Sequence, residues 1–326
     1  MKPFEYIQAT SLEEVNSHLS EDWDTRIIAG GTDLLQEMKN DIIRPQRIID
    51  IKSLPDLTSV EEKAKLLAIG ALVTLDEIES NATITSSFPV LSTAASEVAS
   101  PQLRSMATLV GNICQRPRCW YYRHPEFPCL RKGGKRCFAV KGENAYHAIF
   151  GGGPCHIVCP SDMAPVLVAL GADIIVQSTA GDSRVIPIED FFVGPKVDPH
   201  HENILQPGDL ISEIHVPYQA ENSRGIFLKA RERKVWDFAL ASVTACVTVD
   251  KDSITDASIV LGGVAPNPWR SKDAEDALRG KKISAQLPVE AAEAAVQKAK
   301  PMRDNRYKVD LVRSLLTEAL GKILET

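Results

Sequence analysis

Six of the seven cysteines in this 326-residue chain lie between residues 114 and 159, and this clustering restricts how that part of the chain can fold. A chain of this length can bury a core without disulfides, and intracellular thiols are normally kept reduced. The clustering therefore favours a metal or redox centre over the alternative of disulfides and ordinary buried thiols. The clustered residues are Cys114, Cys119, Cys129, Cys137, Cys155 and Cys159.

The same segment is basic, although the formal net charge of the chain is -6. Residues 116–137 contain seven arginines and lysines, and Glu126 is their one acidic residue. An acidic chain has no general attraction for nucleic acid, so the positive charge needs a local explanation. One explanation is a bound anionic group. The alternative is a solvated or RNA-binding loop, in which Trp120, Tyr121 and Tyr122 stack on bases.

Cysteine spacing distinguishes between metal centres. Structural zinc sites usually draw on tight C-x(2–4)-C pairs. The nearest pairs here are Cys114-x4-Cys119 and Cys155-x3-Cys159, and wider gaps separate Cys119, Cys129 and Cys137, which is poor spacing for a zinc ribbon. The C-x4-C-x2-C pattern of a plant-type two-iron cluster fails because position 122 is tyrosine. A [4Fe–4S] cluster takes four thiolates from an irregular loop and is anionic. We therefore expect the basic side chains to lower the pKa values of the thiols and to stabilise such a cluster.

Two glycine turns precede the cysteines. The stretch "RIIAGGTDLLQEMKN" predicts a strand, a Gly30-Gly31 turn and an amphipathic helix that begins near Thr32 or Asp33. Successive backbone N–H groups at such a turn can hold a phosphate or pyrophosphate, although the turn is equally typical of an ordinary strand–helix connection. The second turn, in "SMATLVGNICQ", combines a hydroxyl, an open backbone and an amide, a set suited to ribityl or phosphate oxygens.

The stretch "CPSDMAPVLVALGADIIVQ" predicts an apolar helix that runs into a strand. Ser161 is the predicted helix cap, and Asp162 lies in the first turn. Asp162 has two interpretations: it complements the helix dipole, or it accepts a hydrogen bond from a sugar or an adenine. Pattern alone favours the first. For Lys229, which lies in a predicted strand, the sequence pattern alone predicts a charged side chain that faces solvent.

The motifs "AGGTDLL", "QLRSMATLVGN", "PSDMAPVLVALGA", "PGDLISEIHVP" and "FLKARERKVWDFALASV" occur here in one order. Together they resemble the FAD-binding medium subunit of the molybdenum hydroxylases, the xanthine dehydrogenase and carbon monoxide dehydrogenase group. The long insertion from about 114 to 155 resembles the branch whose flavin subunit also carries a [4Fe–4S] cluster, which includes bacterial aldehyde oxidoreductases and 4-hydroxybenzoyl-CoA reductase.

The resemblance implies residues for both cofactors. The cluster ligands fall on Cys119, Cys129, Cys137 and Cys155, and an exchange between Cys155 and Cys159, or a role for Cys114, stays open. Lys229 falls near the isoalloxazine ring, where a cation stabilises the reduced flavin, and it is the residue assigned to catalysis. The other predicted FAD contacts are Ile28, Ala29, Gly30, Gly31, Thr32, Asp33, Leu34, Leu35, Thr108, Gly111, Asn112 and Asp162.

The implied fold is α+β, a two-subdomain FAD-binding fold with a smaller C-terminal α+β domain. We place the FAD-binding region at 1–218, with subdomains at about 1–57 and 58–218, and the C-terminal domain at 219–326. Sequence pattern agrees: strands and helices alternate up to residue 57, strands follow at 241–250 and 256–264, and a helical tail starts near 271.

The implied function is electron transfer. A large molybdopterin subunit oxidises the substrate, a small subunit carries two [2Fe–2S] clusters, and this chain passes the electrons through FAD to an external acceptor. An aldehyde oxidoreductase is favoured; a 4-hydroxybenzoyl-CoA reductase or a self-sufficient flavoprotein dehydrogenase is the alternative. We expect no nucleic acid partner and no membrane span. The expected location is the cytoplasm, or the periplasm if a partner subunit carries the export signal.

Overall fold

The computed structural model describes residues 1–178 and 182–325. Its N-terminal part contains β1 (Glu5–Gln8), α1 (Leu12–His18), β2 (Thr25–Ile28), α2 (Leu34–Lys39) and β3 (Arg47–Asp50). The strands are parallel in the order β1-β3-β2, because each is connected to the next through a helix. Ile49 of β3 lies opposite Ile7 and Ile27. The predicted alternation of short strands and helices before residue 57 is confirmed.

A second sheet is antiparallel and joins segments that are far apart in sequence. Its strands are β4 (Val60–Lys63), β5 (Leu66–Gly70), β6 (Asp173–Gln177), β7 (Ser183–Pro187) and β8 (Leu210–Pro217), in the order β4-β5-β8-β6-β7. Between β5 and β6 lie α3 (Leu75–Ser80), α4 (Ala82–Ser87), α5 (Pro89–Ser96), α6 (Pro101–Arg104), α7 (Leu109–Ile113), α8 (Trp120–Arg123) and α9 (Met163–Ala169), and α10 (Ile188–Phe191) follows β7. The helices and all the clustered cysteines are therefore inserted between two strands of one sheet.

The C-terminal part begins with an antiparallel sheet and ends in helices. The strands are β9 (Ser223–Ala230), β10 (Ala241–Asp250), β11 (Ser253–Gly262) and β12 (Trp269–Arg270), in the order β12-β11-β10-β9. The helices are α11 (Lys272–Leu278), α12 (Leu287–Val296) and α13 (Tyr307–Leu324). β8 ends at Pro217 and β9 begins at Ser223, so the stretch between them contains the division that we place at 218/219, which stays a prediction.

Both faces of β10 are buried, which explains its nearly continuous apolar sequence. Val243 and Val247 point towards α13, where they share a core with Leu316 and Leu320. Cys246, on the opposite face, belongs to the core formed with α5 and α9. The C-terminal helices are thus packed on the sheet, as their amphipathic pattern predicts. Among residues 1–178 and 182–325, no helix is both long and apolar enough to cross a membrane.

We call residues 114–159 the cysteine segment. Apart from α8 it has little regular structure, with short 3-10 turns at Leu130–Lys132 and Phe138–Val140. Side chains from the C-terminal part hold its second half: the amide of Asn305 donates to the carbonyls of His147 and Ala148, and Lys308 Nζ donates to the carbonyl of Tyr146. The segment is therefore fixed by contacts that are distant in sequence.

Candidate functional site

The Gly30-Gly31 turn has a structural reason for each glycine. A Cβ atom at Gly30 would lie 1.8 Å from the carbonyl oxygen of Met106, and Gly31 has a φ of +71°. The contact with Met106 brings the second turn against the first. Within the described residues, the N–H groups of Thr32, Asp33 and Leu34 make no hydrogen bond to protein. Three successive free N–H groups form a cradle that suits phosphate oxygens.

These N–H groups border a cavity of about 300 Å³. That volume is at the lower end of the range for ligand pockets. The cavity lies between the two glycine turns, and the segment 201–211 forms its far wall. Leu35 is a predicted FAD contact that does not line it. The predicted residues that do are Ile28, Ala29, Gly30, Gly31, Thr32, Asp33, Leu34, Thr108 and Gly111.

The second glycine turn forms the start of α7 and connects to the start of α9. Thr108 Oγ1 caps α7 by accepting from the N–H of Gly111 at 3.1 Å. Asn112 is buried, and its Oδ1 accepts from Ser161 Oγ at 2.6 Å. Ser161 Oγ in turn accepts from the N–H of Ala164, which confirms the predicted helix cap. Asn112 thus positions the start of α9 in addition to any ligand contact.

Asp162 and Lys229 form a buried ion pair. Lys229 Nζ donates to Asp162 Oδ2 at 2.6 Å and to the carbonyl of Glu97 at 2.9 Å, and 1% of the lysine side chain is exposed. The interpretation of Lys229 as a solvent-facing charge is therefore wrong. Asp162 occupies the N-cap position of α9 but makes no side-chain cap bond, and its carboxylate pairs with Lys229 instead. Burial raises the pKa of the Asp162 carboxyl, and the attraction of Lys229 only partly opposes this rise.

A second cavity, of about 330 Å³, connects this ion pair to the cysteine segment. Asp162 lines it together with Cys119, Trp120, Cys159 and Phe238. Lys229 lines neither cavity and reaches this one through Asp162. A residue assigned to the flavin and a residue assigned to the cluster therefore border the same space.

The four assigned cysteines interact with one another. The thiol of Cys119 interacts electrostatically with those of Cys129 and Cys137, and the thiols of Cys137 and Cys155 are hydrogen-bonded. The hydrogen bond from Cys155 lowers the pKa of Cys137 to about 5 and raises that of Cys155. Chain segments separated by as many as 36 positions (119 to 155) thus bring their sulfurs together.

Backbone N–H groups point at these sulfurs. Cys119 Sγ accepts from Tyr121 and Tyr122, and Cys137 Sγ accepts from Ala139 and His156. Cys155 Sγ accepts from the N–H of the residue two positions later. Such N–H to sulfur bonds stabilise negative charge on thiolates, so this donor set fits an anionic iron–sulfur cluster.

The basic side chains act on the thiols only in part. Arg131 lowers the pKa of the Cys155 thiol, and Lys132 interacts electrostatically with the thiols of Cys119 and Cys129. Four arginines are also paired with acids. Asp33 pairs with Arg118 Nη1 at 3.0 Å and with Arg123 Nη2 at 2.8 Å, and Glu202 pairs with Arg116 and Arg131. These acids, which are remote in sequence, compensate much of the positive charge. Burial raises the pKa of the Cys119 thiol to about 11, and the backbone hydrogen bonds from Tyr121 and Tyr122 only partly oppose this rise. Three buried guanidinium nitrogens have no partner in the described structure: Arg118 Nε, Arg123 Nη1 and Arg131 Nε.

The remaining clustered cysteines have apolar surroundings. Burial raises the pKa of both Cys114 and Cys159 to about 12. Cys159 belongs to the core around α9 and borders the second cavity. No described cysteine forms a disulfide. Across residues 1–178 and 182–325, no group of three or more His, Cys, Asp or Glu side chains is arranged to hold a single metal ion.

Sequence reasoning missed several residues at both cavities. Trp23 stacks on His201 with ring centroids 4.8 Å apart, Arg26 lies over Trp23, and all three line the first cavity. His147 Nε2 lies 3.3 Å from Cys119 Sγ. None of these residues occurs in a recognisable motif, because each reaches its site through tertiary contacts. Gly208, a turn residue in the motif "PGDLISEIHVP", is the one sequence feature that could have indicated that residues 201–211 line the first cavity.

Nearly the whole chain matches known flavoprotein domains. The family described as "FAD binding domain in molybdopterin dehydrogenase" matches residues 2–219, and the "CO dehydrogenase flavoprotein C-terminal domain" matches residues 226–323. The chain therefore belongs to the FAD-binding subunits of the molybdenum hydroxylase family. It is an oxidoreductase subunit with the two-domain fold of that family.

Individual relatives span nearly the full length. The aldehyde oxidoreductase FAD-binding subunit PaoB of Escherichia coli is 34% identical over 325 residues, 99% of this chain and 98% of the relative. The glyceraldehyde dehydrogenase medium chain of Sulfolobus acidocaldarius is 28% identical over 324 residues, 98% of each. Among solved structures, carbon monoxide dehydrogenase from Hydrogenophaga pseudoflava superposes with a TM-score of 0.79 at 24% identity, covering 99% of this chain and 98% of that one.

Proposed function

We propose that this chain is the electron-transfer subunit of a three-subunit molybdenum hydroxylase, and that it carries FAD and a [4Fe–4S] cluster. In this proposal a large molybdopterin subunit and a small subunit with two [2Fe–2S] clusters supply electrons, and an external acceptor removes them from FAD. The observation that carries the proposal is the second cavity, because Asp162 and Cys119, assigned to different cofactors, both border it.

The FAD part is supported by the free N–H groups of Thr32, Asp33 and Leu34 at the first cavity. These groups would hold phosphate oxygens, and Thr108 and Gly111 line the same space. The buried ion pair of Lys229 and Asp162 would fix the environment of the flavin ring. A bound FAD supplies the exchange between single-electron and two-electron transfer.

The cluster part is supported by the electrostatic interaction of the Cys119 thiol with those of Cys129 and Cys137 and by the hydrogen bond between Cys137 and Cys155. The N–H groups directed at the sulfurs of Cys119, Cys137 and Cys155 add to this support. A cubane cluster spaces its four ligand sulfurs more widely than a single metal ion does. The lack of a compact single-ion site among residues 1–178 and 182–325 therefore counts against a zinc centre. We assign Cys155 rather than Cys159 as the fourth ligand, because Cys155 contacts Cys137 whereas Cys159 lies in an apolar core.

The substrate class is proposed from the relatives. PaoB is named as a subunit of an aldehyde oxidoreductase and matches this chain over nearly its whole length, and a glyceraldehyde dehydrogenase medium chain also matches. We therefore propose an aldehyde as the substrate of the assembled enzyme. The molybdenum subunit would select the particular aldehyde.

Metal and flavin analysis of the complex, purified with its natural partners, tests this function. We expect about eight irons and one FAD per complex, four irons from this chain and four from the two [2Fe–2S] clusters of the small subunit. Adding an aldehyde should reduce the FAD, because the flavin receives the electrons before the external acceptor removes them. About four irons per complex would contradict the cluster in this chain. The isolated chain should not oxidise aldehydes, in contrast to a self-sufficient flavoenzyme. Zinc in place of iron, or aldehyde turnover by the chain alone, would contradict the proposal.

A further inference from the structure

Asp33, the N-cap residue of α2, and Glu37 within α2 hold the cysteine segment against the first glycine turn. Asp33 and Glu37 are four positions apart, so both lie on one face of α2. Asp33 Oδ2 accepts from the backbone N–H of Arg116 at 2.6 Å, and Asp33 Oδ1 accepts from Arg123 Nη2 at 2.8 Å. Glu37 Oε1 accepts from the hydroxyl of Tyr122 at 2.5 Å.

Two of these three partners, Tyr122 and Arg123, belong to α8, the helical turn that begins at a cluster cysteine. Cys119 is the N-cap residue of α8, and Tyr122 and Arg123 end that helix. The N–H of Tyr122 also donates to Cys119 Sγ. A shift of α8 away from α2 would therefore displace the Cys119 sulfur and disturb its hydrogen bond.

The contact between Glu37 and Tyr122 is buried. Apolar side chains packed at the same place would stabilise the fold about equally well. Glu37 is 3% exposed, and Tyr122 is 2% exposed. A buried carboxylate is costly unless its hydrogen bonds are satisfied, and such groups are best understood where they specify one geometry. Asp33 makes no cap bond to its own helix, so its carboxylate serves the cysteine segment rather than α2.

We propose that Asp33 and Glu37 are positioning residues that couple the two cofactor sites through the contact between α2 and α8. The proposal rests on the proposed function. A bound cluster would order the cysteine segment. Through Asp33 and Glu37, the ordered segment would then fix the position of α2 and of the free N–H groups that bind the FAD phosphates. Coupling of this kind is reciprocal: bound FAD would equally stabilise the cluster against loss.

A double-mutant cycle on the full chain measures the coupling. Cys129→Ser removes the cluster without changing the sequence of α8, and Tyr122→Phe removes one hydroxyl from the contact and keeps the ring. The FAD dissociation constant is measured by titrating deflavinated protein and following flavin fluorescence. We expect Cys129→Ser to weaken FAD binding by about tenfold in the parent and by less than about threefold in the Tyr122→Phe background.

Asp33→Asn, which removes the charge and keeps an oxygen acceptor, should reduce the coupling further. Asp310→Asn removes an equivalent charge from an exposed pair with Arg313 on α13 and should leave the tenfold factor unchanged. The reciprocal measurement follows iron release to a chelator, which FAD should slow in the parent more than in Tyr122→Phe.

The coupling is overturned if cluster loss changes FAD affinity equally in the parent and in Tyr122→Phe, or does not change it at all, while the parent holds both cofactors. A parent that binds FAD but no iron overturns the proposed cluster and the coupling with it. Failure of the coupling is thereby distinguished from failure of the proposed function.

Discussion

The cysteine segment and the C-terminal sheet with its helices are stabilised by different kinds of interaction. The C-terminal part buries alternate residues of β10, such as Val243 and Val247, against α13, and apolar packing holds it together. The cysteine segment has few such residues and is held by ion pairs to Asp33 and Glu202 and by hydrogen bonds to backbone carbonyls. The cysteine segment therefore depends on ion pairs and hydrogen bonds, and we expect a bound cofactor to add the remaining interactions that stabilise it.

Loss of one cluster ligand should break the cysteine segment without unfolding the C-terminal part. For Cys129→Ser we expect iron to fall from about four per chain to none, with loss of the broad visible absorption, because a cubane needs its four thiolates. Iron analysis and absorption spectra measure this effect. The control Cys114→Ala should retain its iron, and iron loss from the control alone would show that the ligand assignment is wrong.

Lys229→Met tests the junction between the two regions, because Lys229 lies on β9 and Asp162 follows the cysteine segment. Removing one partner of a buried pair should lower the free energy of unfolding by about 3–5 kcal/mol. The pKa of Asp162 is already raised by burial, so the folded state binds its proton more tightly than the unfolded state does. The unfolding free energy therefore falls as pH rises above the unfolded-state pKa of Asp162. Removing Lys229 takes away an interaction that lowers this pKa, so the deficit of the variant should be larger at pH 8 than at pH 5.

Denaturant unfolding at the two pH values measures this difference. Adding Asp162→Asn to Lys229→Met removes the uncompensated charge and should restore part of the stability. A deficit that is independent of pH, with no recovery in the double variant, would argue against a charged pair at this position.

Leu316→Ala tests whether the apolar C-terminal core can be destabilised without affecting the cysteine segment. Leu316 is fully buried in the C-terminal core, so its truncation should cost about 2–5 kcal/mol in unfolding free energy. The iron content should stay that of the parent, because Leu316 belongs to a core distinct from the assigned cysteines. Iron loss that matches the loss of stability would mean that the two regions are not separately held.

Lys308 gives the smallest expected effect and lies where α13 contacts the cysteine segment. Burial lowers its pKa to about 7, and its Nζ donates to the carbonyls of Tyr146 and Gly263. Above pH 7 the folded state loses this proton, whereas the unfolded state keeps it until about pH 10. The unfolded state then binds more protons, so the unfolding free energy rises with pH.

Relative to Lys308→Met, the parent should gain on the order of 1–2 kcal/mol between pH 7 and pH 9. Thermal unfolding of both proteins across this pH range provides the measurement. Parallel pH profiles for parent and variant would show that the ammonium is not desolvated in the folded protein.

The sequence by itself determined the elements whose signals are local. Hydrophobic periodicity located β10 and the terminal helices, and the polar cap at Ser161 marked the start of α9. Ordered motifs identified the family, which the matches to residues 2–219 and 226–323 confirm. Cysteine clustering pointed to a metal centre, which stays a prediction.

Only the tertiary structure decided which charges are compensated. Asp33 looked like a helix start and a ligand contact, and in the fold it binds three arginines of a segment about 85 residues away. Lys229 looked exposed and is buried on Asp162. The physical reason is that periodicity and turn propensities are encoded by neighbouring residues, whereas desolvation and ion pairing depend on which distant chain segments pack together.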